Sequence, residues 1–278
     1  MVQLGEIQLQ SRIVVASGAL GYGRRWPHRW LIDFRQLGAI TLKTVTLNPE
    51  EGNYRWYAPW KVLRRFPDGC GWINCFGLTN SGLSDLIEHK LPKVLELPVI
   101  VSIWGDTYSE LATMIAILNE TDILAIELNI SCPNVAYSKL QDLDNIEDAF
   151  PRLIRESRHP LIIKVGEGQD YIKIAQITQQ AGFSAISAIN TVRSNNSGGI
   201  SGPMIKNRAV EVVSQIHQAV PKLAIIGGGG IENWDDAQDF LNAGATAVSL
   251  ASMFIWYPPY QSFPFWKIRQ IIKEERKS

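Results

Sequence analysis

Short runs of β-branched and other apolar residues recur along the chain, separated by longer stretches with helical spacing. The runs predict strands at Ile13–Ala16, Ala39–Lys43, Val99–Ile103, Ile123–Asn129, Leu161–Val165, Ala185–Asn190, Leu223–Ile226 and Ala247–Leu250. Between them, apolar residues three and four apart predict helices near Trp30–Leu37, Ser84–Leu95, Ser109–Leu118, Ile146–Ser157, Tyr171–Ala181, Ile205–Ala219 and Trp234–Ala243. Asp106 or Ser109, Asn145, Asp170 and Asn233 stand where N-caps belong, and Gly38, Gly182 and Gly244 where left-handed C-caps belong. Runs that are apolar on both faces suit parallel strands covered on two sides. Eight strand–helix units in this order predict a (β/α)8 TIM barrel of α/β class; a doubly wound open sheet is the alternative.

No composition shift or low-complexity linker divides residues 1–278, so one barrel domain is expected. One stretch breaks the rhythm. Residues 48–81 are rich in Pro, Gly, Trp and Arg and too long for an ordinary connection, which predicts an irregular insertion after the second strand, covering the active-site face.

In such barrels function gathers where the strands end. Here the apolar runs stop at polar or glycine positions: Ala16-Ser17-Gly18, Lys43-Thr44, Asn129, Lys164, Asn190-Thr191, Gly227 to Gly230, and Ala251-Ser252. Any one of these side chains could simply bond loop backbone; so many at the same end of successive strands read as a site. A lysine closing a buried strand needs an anion or an acceptor. Lys43 and Lys164 therefore suit a charged cofactor or substrate, a salt bridge, or, for Lys164, a Schiff base. Gly198-Gly199-Ile200-Ser201-Gly202 and Gly229-Gly230 both precede helices after late strands, where backbone N–H groups bind phosphate.

The hexapeptide Asn129-Ile130-Ser131-Cys132-Pro133-Asn134 is the most informative element. It sets a thiol between two amides just past a buried strand, and a thiol titrating near 8.5 can take a proton close to neutral pH. Pro133 cannot continue the ladder, so Cys132 falls in a loop, placed to react rather than to pack.

Composition narrows the rest. The chain has 27 basic and 27 acidic residues and no block of like charge, which argues against nucleic acid or an anionic membrane as partner. Three cysteines (Cys70, Cys75 and Cys132) and four scattered histidines offer neither a disulfide framework nor metal spacing, so no metal is expected. No stretch approaches the roughly 20 apolar residues of a membrane span and no signal peptide is visible, so a soluble cytoplasmic protein is expected.

These residues together resemble class 1 dihydroorotate dehydrogenases. The likeness runs through Ala16-Ser17-Gly18, Leu42 to Thr46, Glu51-Gly52-Asn53, Asn74 to Asn80, Glu127 to Asn134, Ile189-Asn190-Thr191, Gly198 to Pro203 and Gly229-Gly230-Ile231. The resemblance implies an FMN-dependent flavoprotein oxidoreductase of pyrimidine biosynthesis, acting on a CH–CH bond and turning dihydroorotate into orotate. It implies Cys132 as the base that removes the C5 proton. Lys43, Asn74, Asn129, Asn134, Asn190 and Thr191, with backbone at Phe76, Gly77 and Leu78, would bind the substrate. Ala16, Ser17, Gly18, Lys43, Thr44, Asn129 and Lys164 would hold the flavin ring, and Gly202, Gly229, Gly230, Ala251 and Ser252 its phosphate.

The chain departs from the family pattern in three places. The crossing from Tyr54 to Asn74 is longer, the excursion Val192–Ser197 is shorter, and Ala251-Ser252 replaces a glycine–threonine pair. A flavin enzyme acting on another dihydropyrimidine or cyclic amide therefore stays open, as does a flavin-free Schiff-base lyase or phosphate-ligand-binding barrel. Trp56, Tyr57, Trp60 and Trp72 suit either packing beneath the insertion or a surface for a homodimer or an electron-transfer partner subunit.

Overall fold

A computed structural model describes residues 1–23, 31–53, 61–66, 69–131, 146–194, 198–255 and 265–278. Eight parallel strands close into a barrel: β3 (Ile13–Val15), β4 (Ala39–Thr41), β7 (Val99–Ile103), β8 (Ala125–Asn129), β9 (Leu161–Lys164), β10 (Ala185–Ala188), β13 (Ala224–Gly228) and β14 (Ala247–Leu250). They neighbour one another in sequence order, and β14 pairs back onto β3, so this sheet has no edge. Among the described residues, helices α1 (Gly82–Asp85), α2 (Tyr108–Leu118), α3 (Ile146–Glu156), α4 (Tyr171–Ala181), α5 (Lys206–Ala219), α6 (Trp234–Asn242) and α7 (Phe265–Glu275) follow their strands. None is long and apolar enough to cross a membrane.

Two layers of apolar packing hold the barrel. Outward residues of the strands, such as Ile40, Val101, Ile126, Ile163, Ile186 and Val248, meet the inner stripes of the helices in one large cluster. Inside the barrel, each strand contributes one residue to a second cluster: Val14, Ala39, Ile100, Ala125, Ile162, Ala185, Ile226 and Ala247. A two-stranded hairpin, β1 (Val2–Leu4) and β2 (Ile7–Leu9), closes the bottom with Leu4, Ile7 and Leu9, all buried. Burying each such side chain is worth about 1.5–3 kcal/mol, so the hairpin works as a plug.

Two residues further along the strands the interior changes character. Thr41, Ser102, Glu127, Lys164 and Ser187 are all polar and all buried. Side chains alternate along a strand, so positions two apart share a face, and the barrel interior passes from an apolar floor to a polar layer above it.

A four-stranded antiparallel sheet stands outside the barrel ladder, in the order β11 (Val192–Ser194), β12 (Gly198–Ser201), β6 (Trp72–Asn74), β5 (Leu63–Arg65). The stretch expected to be irregular thus contributes two strands, and β12, just after the shortened excursion, pairs with β6 while β11 adds the outer strand. The pairing needs both: Asn74 lies opposite Leu63 on one side and Gly199 on the other. Trp72 is buried with the Arg65 guanidinium 5.9 Å from its ring centre, so it packs within this sheet and is not part of a surface. Trp56, Tyr57 and Trp60 lie outside the described residues.

Several local expectations change. Of the helix expected over Trp30–Leu37, Trp30 lies outside the described residues and Leu31 is helical, but from Ile32 onward the chain leaves the helix and makes only a 3-10 turn, Phe34–Gln36, capped by Asp33 before it enters β4. Gly38 is no left-handed cap; a β-carbon there would stand 2.0 Å from the Ser11 carbonyl oxygen, so close approach of the backbone selects glycine. The helix expected over Ser84–Leu95 starts at Gly82, widens to a π-helix over Leu86–Lys90 and tightens to 3-10 at Leu91–Lys93, where Pro92 brings no N–H. Thr107, not Asp106 or Ser109, caps α2, accepting from the Glu110 N–H. Asp170 and Asn233 cap α4 and α6 as expected, and Gly182 ends α4 left-handed; Asn145 lies outside the described residues.

Candidate active site

The strands' C-terminal ends open into a cavity of about 670 Å3. That is ample for a cofactor and a small substrate, since such pockets run from about 300 to 1,000 Å3. Every described residue proposed from the sequence for cofactor or substrate lines it. Ala16, Ser17 and Gly18 follow β3, and Lys43 and Thr44 follow β4. Asn129 and Lys164 end β8 and β9, and Asn190 and Thr191 follow β10. Gly229 and Gly230 follow β13, Ala251 and Ser252 follow β14, and Gly202 leads into α5. Asn74, Phe76, Gly77 and Leu78 reach the cavity from the accessory sheet and the turn after it. Cys132 and Asn134 lie outside the described residues, immediately beyond Ser131.

A continuous arc of hydrogen bonds ties five of the strand ends together. Ser17 donates to the Leu42 carbonyl at 2.9 Å and shares a hydrogen bond with Thr44 at 3.0 Å. Thr44 is in turn 2.9 Å from the Ser102 hydroxyl and accepts from the Asn129 amide at 2.9 Å. The Asn129 carbonyl oxygen accepts from Ser131, through the backbone N–H at 3.2 Å and the hydroxyl at 2.7 Å. Asn190 donates to the Ser131 hydroxyl at 2.9 Å, and its own oxygen accepts from the Thr191 N–H at 2.8 Å. Because each member is held by the next, the amides are aimed before any ligand arrives. Gln169 adds a clamp by donating to the Ile130 carbonyl at 2.9 Å while accepting from the Gly166 N–H.

Asn129 is the hinge of this arc, and Asn129→Ala removes the acceptor for two Ser131 donors at once. The expected cost is about 2–4 kcal/mol in unfolding free energy, read as a lower urea midpoint at unchanged slope. A shift below about 0.5 kcal/mol would show that the arc carries no stability.

On the opposite wall, Asn74 donates to the Gly199 carbonyl at 3.1 Å, which joins β6 to β12 by a side-chain bond as well as the ladder. The Lys43 ammonium stands 5.9 Å from the centre of the Phe76 ring. Gly77 and Leu78 both have positive φ, at 64° and 57°. Leu78 pays for that conformation with backbone strain, and the Asn80 side chain clasps the turn by donating to the Leu78 carbonyl at 2.6 Å and accepting from the Gly82 N–H at 2.8 Å.

Two features test what the cavity can hold. The Lys164 side chain is buried, yet it makes no hydrogen bond or ion pair among the described residues. Such an ammonium is costly without an electron-rich group above it. After β13, Gly229 and Gly230 leave no room for side chains: a β-carbon on Gly230 would stand 2.7 Å from the Gly202 carbonyl and 3.1 Å from the Lys206 nitrogen. The backbone of the two glycines therefore packs directly against the turn that opens α5, the setting in which barrels receive a phosphate. A buried cation and a glycine cradle lining one cavity fit a molecule with an electron-rich flat head and a phosphate tail, as FMN has.

Sequence reasoning missed several lining residues. Leu63 enters from the long crossing, and Thr41, Glu127, Ser187 and Ser249 line the cavity from within the strands. Period-two spacing was the available signal: each of Thr41, Glu127 and Ser187 lies two residues before or after an inward-facing neighbour in its own strand. No group of metal-ligating side chains occurs among the described residues.

The fold defines a (β/α)8 barrel with a ligand-sized cavity at the C-terminal ends of its strands. The dihydroorotate dehydrogenase family model matches residues 1–274, and the chain belongs to that family. It is 37% identical over 272 residues to the catalytic subunit of dihydroorotate dehydrogenase B (NAD(+)) of Desulforamulus reducens, covering 90% of this chain and 86% of that one. It is 34% identical over 270 residues to the Thermoanaerobacter pseudethanolicus protein of the same name, with the same coverage. The Listeria monocytogenes counterpart is 33% identical over 273 residues, covering 91% of this chain and 86% of that one.

Proposed function

We propose that this protein oxidises dihydroorotate to orotate with FMN bound in the barrel cavity. The observation that carries the reading is one cavity lined both by the buried Lys164 ammonium, which has no hydrogen bond or ion pair among the described residues, and by the glycine cradle, together with an arc of fixed amides. FMN supplies the acceptor for the hydride that leaves C6 of the substrate. Lys164 would lie against the electron-rich edge of the flavin ring, with Ala16, Ser17, Gly18, Lys43, Thr44 and Asn129 around it. Gly202, Gly229, Gly230, Ala251 and Ser252 would hold the phosphate.

Asn74, Asn129, Asn134, Asn190 and Thr191 match the polar edges of a dihydropyrimidine, and the backbone of Phe76, Gly77 and Leu78 matches its carboxylate. Cys132 takes the C5 proton. The base and the hydride acceptor must be fixed relative to the substrate, and orientation of this kind can lower a barrier by up to about 7–11 kcal/mol. The relatives' names as catalytic subunits support a further step of the reading: electrons leave this chain through a partner subunit toward NAD(+).

Anaerobic mixing of the FMN-loaded protein with L-dihydroorotate tests the proposal. The flavin absorbance bleaches within the mixing experiment and orotate appears in equal amount. Loaded protein that stays yellow would overturn dihydroorotate as substrate, and bleaching by a different dihydropyrimidine would identify the one the altered rim accepts.

A further inference from the structure

Glu127 has no role in the chemistry above, yet it is the one acidic side chain lining the cavity among the described residues. It is 4% exposed, and its Oε1 is enclosed with no hydrogen-bond partner. It sits on β8 two residues before Asn129, which pairs with Lys164 on β9, so Glu127 and Lys164 face the same interior from adjacent strands. Strand spacing and rise put their backbone positions about 8 Å apart, within reach of two long side chains. They form no direct ion pair. Opposite charges held in a water-poor interior nevertheless interact strongly at that separation. The layer's other buried polar residues are Thr41, Ser102 and Ser187, hydroxyls that can bond either charge.

We propose that Glu127 is the counter-charge of Lys164, a positioning residue that sets how strongly the lysine favours reduced flavin. The proposal rests on the FMN reading above. Reduction puts negative charge on the flavin ring; the lysine stabilises that charge and the carboxylate beneath opposes it. Without such a partner the Lys164 ammonium would be buried beside the cofactor at full strength. With it, the cavity floor is close to neutral, and the flavin can pass its electrons on.

The test is the equilibrium between FMN-loaded protein and a redox dye of known potential, at one pH and without dihydroorotate. Glu127→Gln raises the ratio of reduced to oxidised FMN at fixed dye poise on the order of tenfold. Lys164→Met lowers it, and the double variant returns close to the unaltered protein because both charges are gone. Glu127→Asp, which keeps the charge, stays within about twofold. An unchanged ratio in Glu127→Gln, or a double variant no higher than Lys164→Met, overturns the proposal; the double variant decides the matter should Glu127→Gln alone fail to fold. Purified protein that binds no FMN would instead remove the flavin reading itself, while bound FMN with an unmoved ratio removes only the role of Glu127.

Discussion

Cys132→Ser slows flavin reduction by dihydroorotate by about 10²–10⁴-fold at neutral pH, the range that a positioned general base contributes. The substitution changes one atom and keeps the size of the side chain, so substrate affinity should move little. What changes is acidity. A thiol with a pKa near 8.5 is a few per cent thiolate at neutral pH, whereas a serine hydroxyl is far weaker as an acid. The reduction rate of the unaltered protein therefore climbs with pH and levels off as the thiol ionises. The serine variant keeps climbing through the accessible range, with its whole profile moved upward. Stopped-flow absorbance of the flavin under anaerobic conditions gives both the rate and the profile. Equal rates and superimposable profiles would rule out Cys132 as the base.

Ser131, one residue before Cys132, is buried and fixed by Asn129 and Asn190. The proposed base thus follows directly on a fixed position, since Ser131 is the last described residue before it.

Most of the barrel was legible because its strands are apolar on the face that meets the helices, and helices must alternate with parallel strands. Val99–Ile103 and Ala247–Leu250 appear with the bounds that their apolar runs suggest. The site was legible for a related reason: polar residues that close buried strands have few other places to go. Two things were hidden. The accessory sheet was hidden because its strands are three or four residues long and its pairing joins segments more than a hundred residues apart, as Asn74 and Gly199 show. No local periodicity carries such a contact. The polar interior layer was hidden because Thr41, Ser102, Glu127 and Ser187 sit between outward apolar neighbours, so each run still reads as apolar. Counting every second residue from the strand end separates the two faces and exposes Glu127 two places before Asn129. The turn at Phe34–Gln36 shows the opposite failure, in which a helical spacing is real but Asp33 caps a single turn before β4 claims the chain.

Gly230→Ala loses FMN binding by about a hundredfold or more and lowers unfolding stability by about 2–3 kcal/mol. Two effects combine. Gly230 has φ 83°, a left-handed conformation that costs an alanine roughly 1–2 kcal/mol. Its new methyl carbon would also meet atoms that cannot swing away: the Gly202 carbonyl oxygen at 2.7 Å, the Lys206 β-carbon at 3.0 Å and the Lys206 nitrogen at 3.1 Å. Those atoms belong to the segment that opens α5, so relief of the clash pulls apart the amides proposed to hold the phosphate. Gly168 provides the control. Its φ is 89° and a β-carbon there meets nothing within 4 Å, so Gly168→Ala carries the backbone cost without the clash. Titration of apoprotein with FMN, followed by flavin fluorescence, reads the affinity, and thermal melts of the apoproteins read the stability. Gly168→Ala should bind FMN as the unaltered protein does and melt only slightly lower. Should Gly230→Ala match it in both measurements, the glycines after β13 serve the turn alone and the phosphate must be held elsewhere.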